Sequence, residues 1–393
     1  MADKKSVLVL GSGPYGQKVA KALVNTGSFS RMIVSDLILE RAQTAAKNLA
    51  ETGIAVSAQG LDATIEADLC SAMKDVDVVA NVSGPMQDTA AAAVKACIQC
   101  GKDYVDTSAT MSAARDLLAL DSKARKAGIH VLTGFGGASG MINFLARYSS
   151  DKLDETHEVH FAVVGYGYKR PPVSRDMSDE YLRSKFTNPA TIYADGKHMD
   201  INPYDAVEII EIPGLAEIWP ELGGTWNVWP IRFSQVITIP RFIPGVKRVS
   251  VKTGRNPFSE LSRIGLDSRE PINVNGTKVV PVDFAIAFSV SKAFSSALKL
   301  EIPKEQKVIG GWYLRITGIK HEKPAGYTYG YIDVDMVNTE RAFAMAAKML
   351  AEGEMKHPGV VAPEALDPKP FLRKALEWGT VIREISDSYI ESF

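Results

Sequence analysis

Short apolar runs alternate with helical apolar stripes along the first third of the chain. Ser6–Leu10 is β-branched and leucine-rich, the pattern of a strand buried on both faces. Pro14–Thr26 carries Tyr15, Val19, Ala22, Leu23 and Thr26 at helical spacing, and Gly27 follows where a helix stops. The same reading gives strands at Arg31–Ser35, Ile54–Ala58, Val76–Val82, Tyr104–Thr107 and Ile129–Leu132. Between them fall helices at Glu40–Thr52, Ile65–Lys74, Asp88–Gln99 and Ser112–Ala127. Strands and helices in this alternation predict a parallel sheet covered on both faces by right-handed crossovers.

The texture changes near residue 140. Glu158–Val164, Val236–Ile239, Val246–Lys252, Val308–Lys320 and Tyr327–Val337 read as longer, partly alternating strands of a mostly antiparallel sheet. Thr339–Glu352 and Pro370–Trp378 return to helical patterning. The predicted organisation is a first domain over residues 1–140 and an α+β domain over 141–338. A C-terminal group of helices over 339–393 then packs back on the first domain.

Composition narrows the function classes. The 393 residues are 46% hydrophobic and 23% charged, which suits a globular protein, and the formal net charge of -1 leaves no basic footprint for nucleic acid or an anionic membrane. No apolar run reaches the roughly 18–20 residues of a membrane span, since Asp283 interrupts Val279–Val290. Three cysteines do not make a secreted disulfide framework, so a soluble protein of the reducing cytoplasm is expected.

The chemistry starts at Gly11-Ser12-Gly13-Pro14-Tyr15-Gly16, a G-x-G-x-x-G motif between the first strand and the first helix. Its glycines allow a tight turn, close approach of a pyrophosphate to the backbone, and tight helix–strand packing, while the helix N-terminus faces the phosphates. Asp36 follows Gly16 by 20 residues at the end of the second strand, where a carboxylate accepts from the ribose hydroxyls. The first domain is therefore expected to be a Rossmann NAD(P)-binding domain in an α/β fold. Asp36 would repel a 2′-phosphate and favours NAD, with NADP left open by the nearby Arg31 and Arg41. Asp62-Ala63 after the third strand are placed at the adenine. Asn81, Ser83, Gly84 and Pro85, with Thr107 and Ser108, end the fourth and fifth strands at the sheet's carboxyl edge, where the nicotinamide ribose would lie.

With these pieces placed, the chain resembles the saccharopine dehydrogenase-like family. The likeness rests on Gly11–Gly16, Asn81–Pro85, Tyr104–Ser108, Leu120–Gly128, the glycine-rich Thr133–Asn143 and the closing Pro358–Glu364. Ser139 stands where the family usually has proline, and Ala138 where an acid often stands. The resemblance implies an oxidoreductase that transfers hydride to or from the C–N bond of a small amine, amino acid or imine. It also implies a homodimer formed through the middle sheet, and a hinge at Gly134–Gly140.

Catalytic candidates are fewer. Asp106 could steer a substrate ammonium, Tyr166 could donate a proton or wall the pocket together with Tyr168, and Arg175 with Arg170 could clamp a carboxylate. Trp219, Trp226 and Trp229 read as core or pocket wall. Cys97-Ile98-Gln99-Cys100 lacks a second pair and reads as helix packing, and the scattered histidines suggest no metal site. Three other readings stay open: a C=C reductase on the same fold, an S-adenosylmethionine-dependent methyltransferase, and a nucleotide-binding protein without turnover.

Overall fold

The computed structural model describes residues 4–167, 189–220, 223–254, 270–281, 284, 308–333 and 337–388. In chain order the elements are β1 (Lys5–Leu10), α1 (Pro14–Asn25), β2 (Phe29–Asp36), α2 (Leu39–Asn48), β3 (Ala55–Gly60) and α3 (Glu66–Ala72). Next come β4 (Val78–Asn81), α4 (Met86–Cys100), β5 (Asp103–Asp106), α5 (Met111–Ala119), α6 (Asp121–Ala127) and β6 (His130–Leu132). A π-helical turn at Gly137–Met141 leads to α7 (Ile142–Ser150), β7 (Glu155–Gly167), β8 (Ala190–Ala194), β9 (Lys197–Ile201) and β10 (Glu208–Glu211). Then follow α8 (Leu215–Ile218), β11 (Thr225–Pro230), α9 (Gln235–Phe242), β12 (Arg248–Gly254), β13 (Ile272–Val274) and β14 (Thr277–Val279). The last are β15 (Val308–Lys320), β16 (Lys323–Asp333), α10 (Asn338–Ala351), β17 (Gly359–Val361), α11 (Pro368–Glu377) and β18 (Val381–Ser388).

The chain divides into two units. The first takes the described residues of Met1–Tyr148, Phe233–Pro244 and Val337–Ala375. Among them, seven parallel strands run in the order β17-β6-β5-β4-β1-β2-β3. All four residues of β4 are buried, as a strand covered on both faces requires. Helix α1 buries Gly16, Val19, Ala20 and Leu23, one stripe at helical spacing. The alternation read from sequence holds here, except that the expected helix at Ser112–Ala127 is two helices meeting at Leu120.

Three separate stretches of chain complete this unit, and two clusters tie them. Phe144 on α7 stacks on Phe371 of α11 at 3.9 Å between ring centroids, and Phe135 packs edge-on to Phe144 at 6.0 Å. Beside them Asn143 Nδ2 donates to Glu364 Oε2 at 2.9 Å, and Gln235 Nε2 on α9 donates to Asn143 Oδ1 at 3.1 Å. Glu364 is fully buried, and this burial pushes its carboxyl above the ordinary range despite the neighbouring Thr238 hydroxyl and Asn143 amide.

The second unit takes the described residues of Ser149–Arg232, Gly245–Met336 and Leu376–Phe393. Its sheet runs β10-β11-β12-β7-β15-β16-β18, with β8 beside β12 and β9 beside β8. The pairing is antiparallel except between β12 and β7. Trp219, Trp226, Val228, Tyr313 and Ile332 form a buried cluster on this sheet, so Trp219 and Trp226 are core residues.

Two boundaries differ from the sequence reading. Val236–Ile239, expected as a strand, lies in α9. Its N–H groups find partners along the helix, as in Thr238 N to Ser234 O at 3.0 Å, and Val236 and Ile239 are fully buried. A β-branched run loses only a few tenths of a kcal/mol per residue in a helix, less than such burial gains. The C-terminal return to the first unit ends at Ala375; the residues after it contribute β18, which pairs with β16.

Glu364 makes folding pH-dependent with a definite sign. Its folded pKa is raised, so the native state holds the proton above the unfolded value of about 4.3, and stability falls as pH rises from there toward the folded pKa. Relative to Glu364→Gln, the wild type should lose up to about 1.4 kcal/mol per pH unit across that window in urea unfolding. A difference between the two that is flat with pH would contradict a protonated buried carboxyl. Phe144→Ala should cost about 3–5 kcal/mol in the same assay, and a loss below 1 kcal/mol would contradict the stack's role.

Candidate active site

The first unit's G-x-G-x-x-G segment forms the turn from β1 into α1. Gly11 has φ +93°, and a Cβ there would lie 2.8 Å from the backbone of Ser83. A Cβ on Gly16 would lie 2.1 Å from the carbonyl oxygen of Gly11, which no side chain permits. Both glycines are therefore required by packing alone. Gly13 is different: a Cβ there meets nothing within 4 Å. Pro14 opens α1 without a side-chain cap, and the first helical bond runs from Gln17 N to Gly13 O at 3.0 Å. The adjoining Tyr15 hydroxyl is buried without a hydrogen-bond partner among the described residues, and burial, with Glu340 adding, pushes its pKa well up.

Asp36 is brought to this loop by the pairing of β1 with β2. Its Oδ2 accepts from Ser12 N at 2.8 Å and from Ser12 Oγ at 3.1 Å, while Oδ1 accepts from Ile38 N at 3.1 Å. The carboxylate is thus fixed at the turn rather than swinging in solvent. Leu37, Ile38 and Leu39 follow it with exposed side chains, and Ile65 is exposed too. Asp62 Oδ1 accepts from Thr64 N and Oγ1, and these bonds hold its carboxyl below the usual range. Asp62 and Ala63 form the turn between β3 and α3.

A chain of hydrogen bonds links the carboxyl ends of β4, β5 and β6. Ser83 donates from N and Oγ to Asn81 Oδ1 at 3.0 and 2.6 Å. Asn81 Nδ2 donates to the Tyr104 hydroxyl at 2.9 Å, which donates to Asp106 Oδ2 at 3.0 Å. Asp106 Oδ1 then accepts from Ser108 N, Gly134 N and Thr133 Oγ1 at 2.9, 2.9 and 3.0 Å. Burial raises the Asp106 carboxyl despite these four donors. Gly84, in a cis peptide with Pro85, has open space where a Cβ would stand. Ser108 is buried, with its Oγ unpartnered among the described residues.

The structure therefore brings together Gly11–Gly16, Asp36, Asn81, Ser83, Gly84 and Pro85 on one edge of the parallel sheet. Thr107 and Ser108 follow β5 on the same edge. Asp106 needs a correction. It has no exposed surface and both its oxygens are engaged, so it holds the loops after β5 and β6 and presents no face to a substrate ammonium. Tyr166 lies inside β7, opposite Ile309, because that strand runs past the expected Val164 end. Arg175, with Tyr168 and Arg170, lies outside the described residues. The Gly134–Gly140 run is packed within the first unit: a Cβ on Gly136 would lie 3.3 Å from Thr339 of α10, and one on Gly140 3.2 Å from Phe135. Close packing accounts for its small residues without a hinge.

Tyr104, Thr133, Asn143 and Glu364 were missed as working residues. A tyrosine two positions before an aspartate on one strand face was the only local signal for the ladder. Nothing local in the sequence marks Glu364 as buried.

The chain is similar to several known proteins. Residues 7–132 match the sequence profile described as saccharopine dehydrogenase NADP binding domain. The chain is 22% identical to the carboxyaminopropylagmatine dehydrogenase of Synechocystis sp., over 96% of this chain and 97% of that protein. It is 25% identical to the carboxynorspermidine synthase of Vibrio cholerae, over 93% and 94%. Among solved structures, a probable dehydrogenase from Thermotoga maritima aligns over 97% of this chain and 98% of that one, with 14% identity and a TM-score of 0.44. GenD2 from gentamicin A biosynthesis, in complex with NAD, aligns over 99% and 98%, with 12% identity and a TM-score of 0.42. The open Gly13 face and the anchored Asp36 suit a nicotinamide dinucleotide. Residues 7–132 thus match a saccharopine dehydrogenase-type NAD(P)-binding domain, and the chain is similar along nearly its whole length to the two enzymes just named.

Proposed function

We propose that this chain is an NAD-dependent oxidoreductase that moves a hydride to or from the carbon–nitrogen bond of a small amine, amino acid or imine. The reading is carried by one juxtaposition: the open side of Gly13 beside an Asp36 carboxylate fixed by Ser12. The bare backbone at Gly13 and the first turn of α1 suit a diphosphate, and the Asp36 carboxylate suits a ribose diol. Arg31 is near the other end of β2, about 16 Å away along the strand, too far to neutralise a 2′-phosphate beside Asp36. Leu37, 73% exposed, stands next to Asp36 where a cation would be needed. These features favour NAD, while Arg41, in the first turn of α2 and five residues beyond Asp36, keeps NADP open.

The bound nicotinamide would supply or accept the hydride. The chain's own part is to position. Asp106, through its four donors, sets the backbone of Ser108 and Gly134 at the carboxyl edge, where a substrate carbon would be presented. An iminium carbon is already electrophilic and needs orientation and exclusion of water more than an acid or a nucleophile. Tyr166 as proton donor and Arg175 as carboxylate clamp belong to the same reading on sequence grounds. So do the homodimer and the cytoplasmic setting. The names of the two relatives speak of carboxylated amines, and we carry to this chain only that class: an amine bearing a carboxyl group, or its imine.

Absorbance at 340 nm should rise with NAD and one member of an amine and amino acid panel, or fall with NADH and a keto acid or aldehyde plus an amine. Turnover confined to C=C substrates would reject the C–N assignment. Asp36→Ala should weaken NAD binding about 10- to 100-fold, the range for lost hydrogen bonds to a charged group, and should narrow the preference over NADP. Unchanged NAD affinity would remove Asp36 from the ribose.

A further inference from the structure

The cysteine pair that matters is not the one adjacent in sequence. Cys97 is fully buried with its Sγ 4.0 Å from Met73 Sδ, so it is a packing residue. Cys70 lies in the last turn of α3, next to the buried Leu69, and its thiol faces the last turns of α4. Its Sγ lies 3.5 Å from Gln99 Oε1 and 3.9 Å from the carbonyl oxygen of Ala96. Cys100, the final residue of α4, follows Gln99 directly and lies one helical turn beyond Ala96, so it stands on the same turn that the Cys70 thiol contacts, near enough to act on that thiol electrostatically. Both sulfur-bearing residues are partly exposed. Among the described residues no group of three or more His, Cys, Asp or Glu is disposed to hold a metal ion.

We infer that Cys70 and Cys100 form an oxidisable dithiol, converted by a low-molecular-weight disulfide into a covalent staple between α3 and α4. The order of events follows from the surroundings. Burial, together with the neighbouring Cys100 and Glu66, pushes the Cys70 thiol up to about 11, which makes Cys70 a slow thiol to open the exchange and assigns it the second, resolving step. The Cys100 thiolate displaces one thiolate from the small disulfide RSSR and becomes a mixed disulfide. Cys70 then gives its proton to solvent and attacks Cys100 Sγ, expelling the second thiolate. Two protein thiols lose two electrons and two protons, and RSSR leaves as two RSH. The inference stands apart from the nicotinamide reading, because it uses neither the glycine loop nor Asp36.

The test is oxidation of the full chain with glutathione disulfide, followed by quenching with N-ethylmaleimide under denaturing conditions and peptide mapping. Only Cys97 should then carry the label, and the Cys70 and Cys100 peptides should appear joined and two hydrogens lighter than their sum. The melting temperature should rise by about 3–8 °C and return with dithiothreitol, as expected when a cross-link restricts the unfolded chain. In Cys70→Ser the cross-link should vanish and Cys100 should carry glutathione, whereas Cys97→Ala should still form it. Three labelled cysteines after oxidation, a cross-link containing Cys97, or one joining two chains would each overturn the inference. If Cys97→Ala fails to fold, the wild-type peptide map alone decides.

Discussion

The start of α1 lies closer to the end of β1 than any side chain allows. The site where a Cβ of Gly16 would stand is 2.1 Å from the Gly11 carbonyl oxygen, and Gly11 is itself pressed against Ser83. This double contact fixes three chain segments at once: the helix, the first strand and the loop after β4. It leaves Gly13 as the one glycine of the motif whose missing side chain serves no packing contact. The proposed function uses that position, because a bare backbone there lets an outside group approach closely.

The rest of the carboxyl edge is arranged around the same turn by hydrogen bonds. Asp36 is tied to Ser12, and the ladder from Ser83 through Asn81 and Tyr104 to Asp106 joins the ends of β4, β5 and β6. A buried carboxylate with four donors is stiff, since freeing any donor would leave a polar group unpaired in a low-dielectric interior. Glu364 does the corresponding work for the far-separated pieces of the first unit, joining α7 and α9 through Asn143 and Gln235. Both acids shape the backbone and are not presented to a ligand.

Much of the first unit was legible because its signals are local. Alternating buried strands and striped helices, three glycines at fixed spacing and an acid at the next strand's end each depend on a few adjacent residues. What failed depends on distant ones. Val236–Ile239 reads as a strand by composition, and only its burial among segments from both ends of the chain makes it helical. Asp106 reads as a ligand because it ends a strand at the right edge; the partners that turn it inward include Thr133 and Gly134, which follow the neighbouring strand β6 and lie 27 and 28 residues away. Cys97 and Cys100 stand out by their spacing, whereas the thiol that reaches the end of their helix is that of Cys70, from α3. The reach of β7 to Gly167 follows from its pairing with β15, more than 140 residues away in sequence.

The central claim is that a dinucleotide lies against the bare backbone at Gly13. Gly13 has a negative φ of -59°, and nothing lies within 4 Å of where a Cβ would stand, so the side chain of Gly13→Val starts into open space. Isothermal titration of NAD into the wild type and into Gly13→Val, with melting temperatures measured alongside, separates binding from folding. The account predicts equal melting temperatures without ligand, saturable NAD binding by the wild type, and none by the variant. Equal NAD affinity in the two proteins would contradict it.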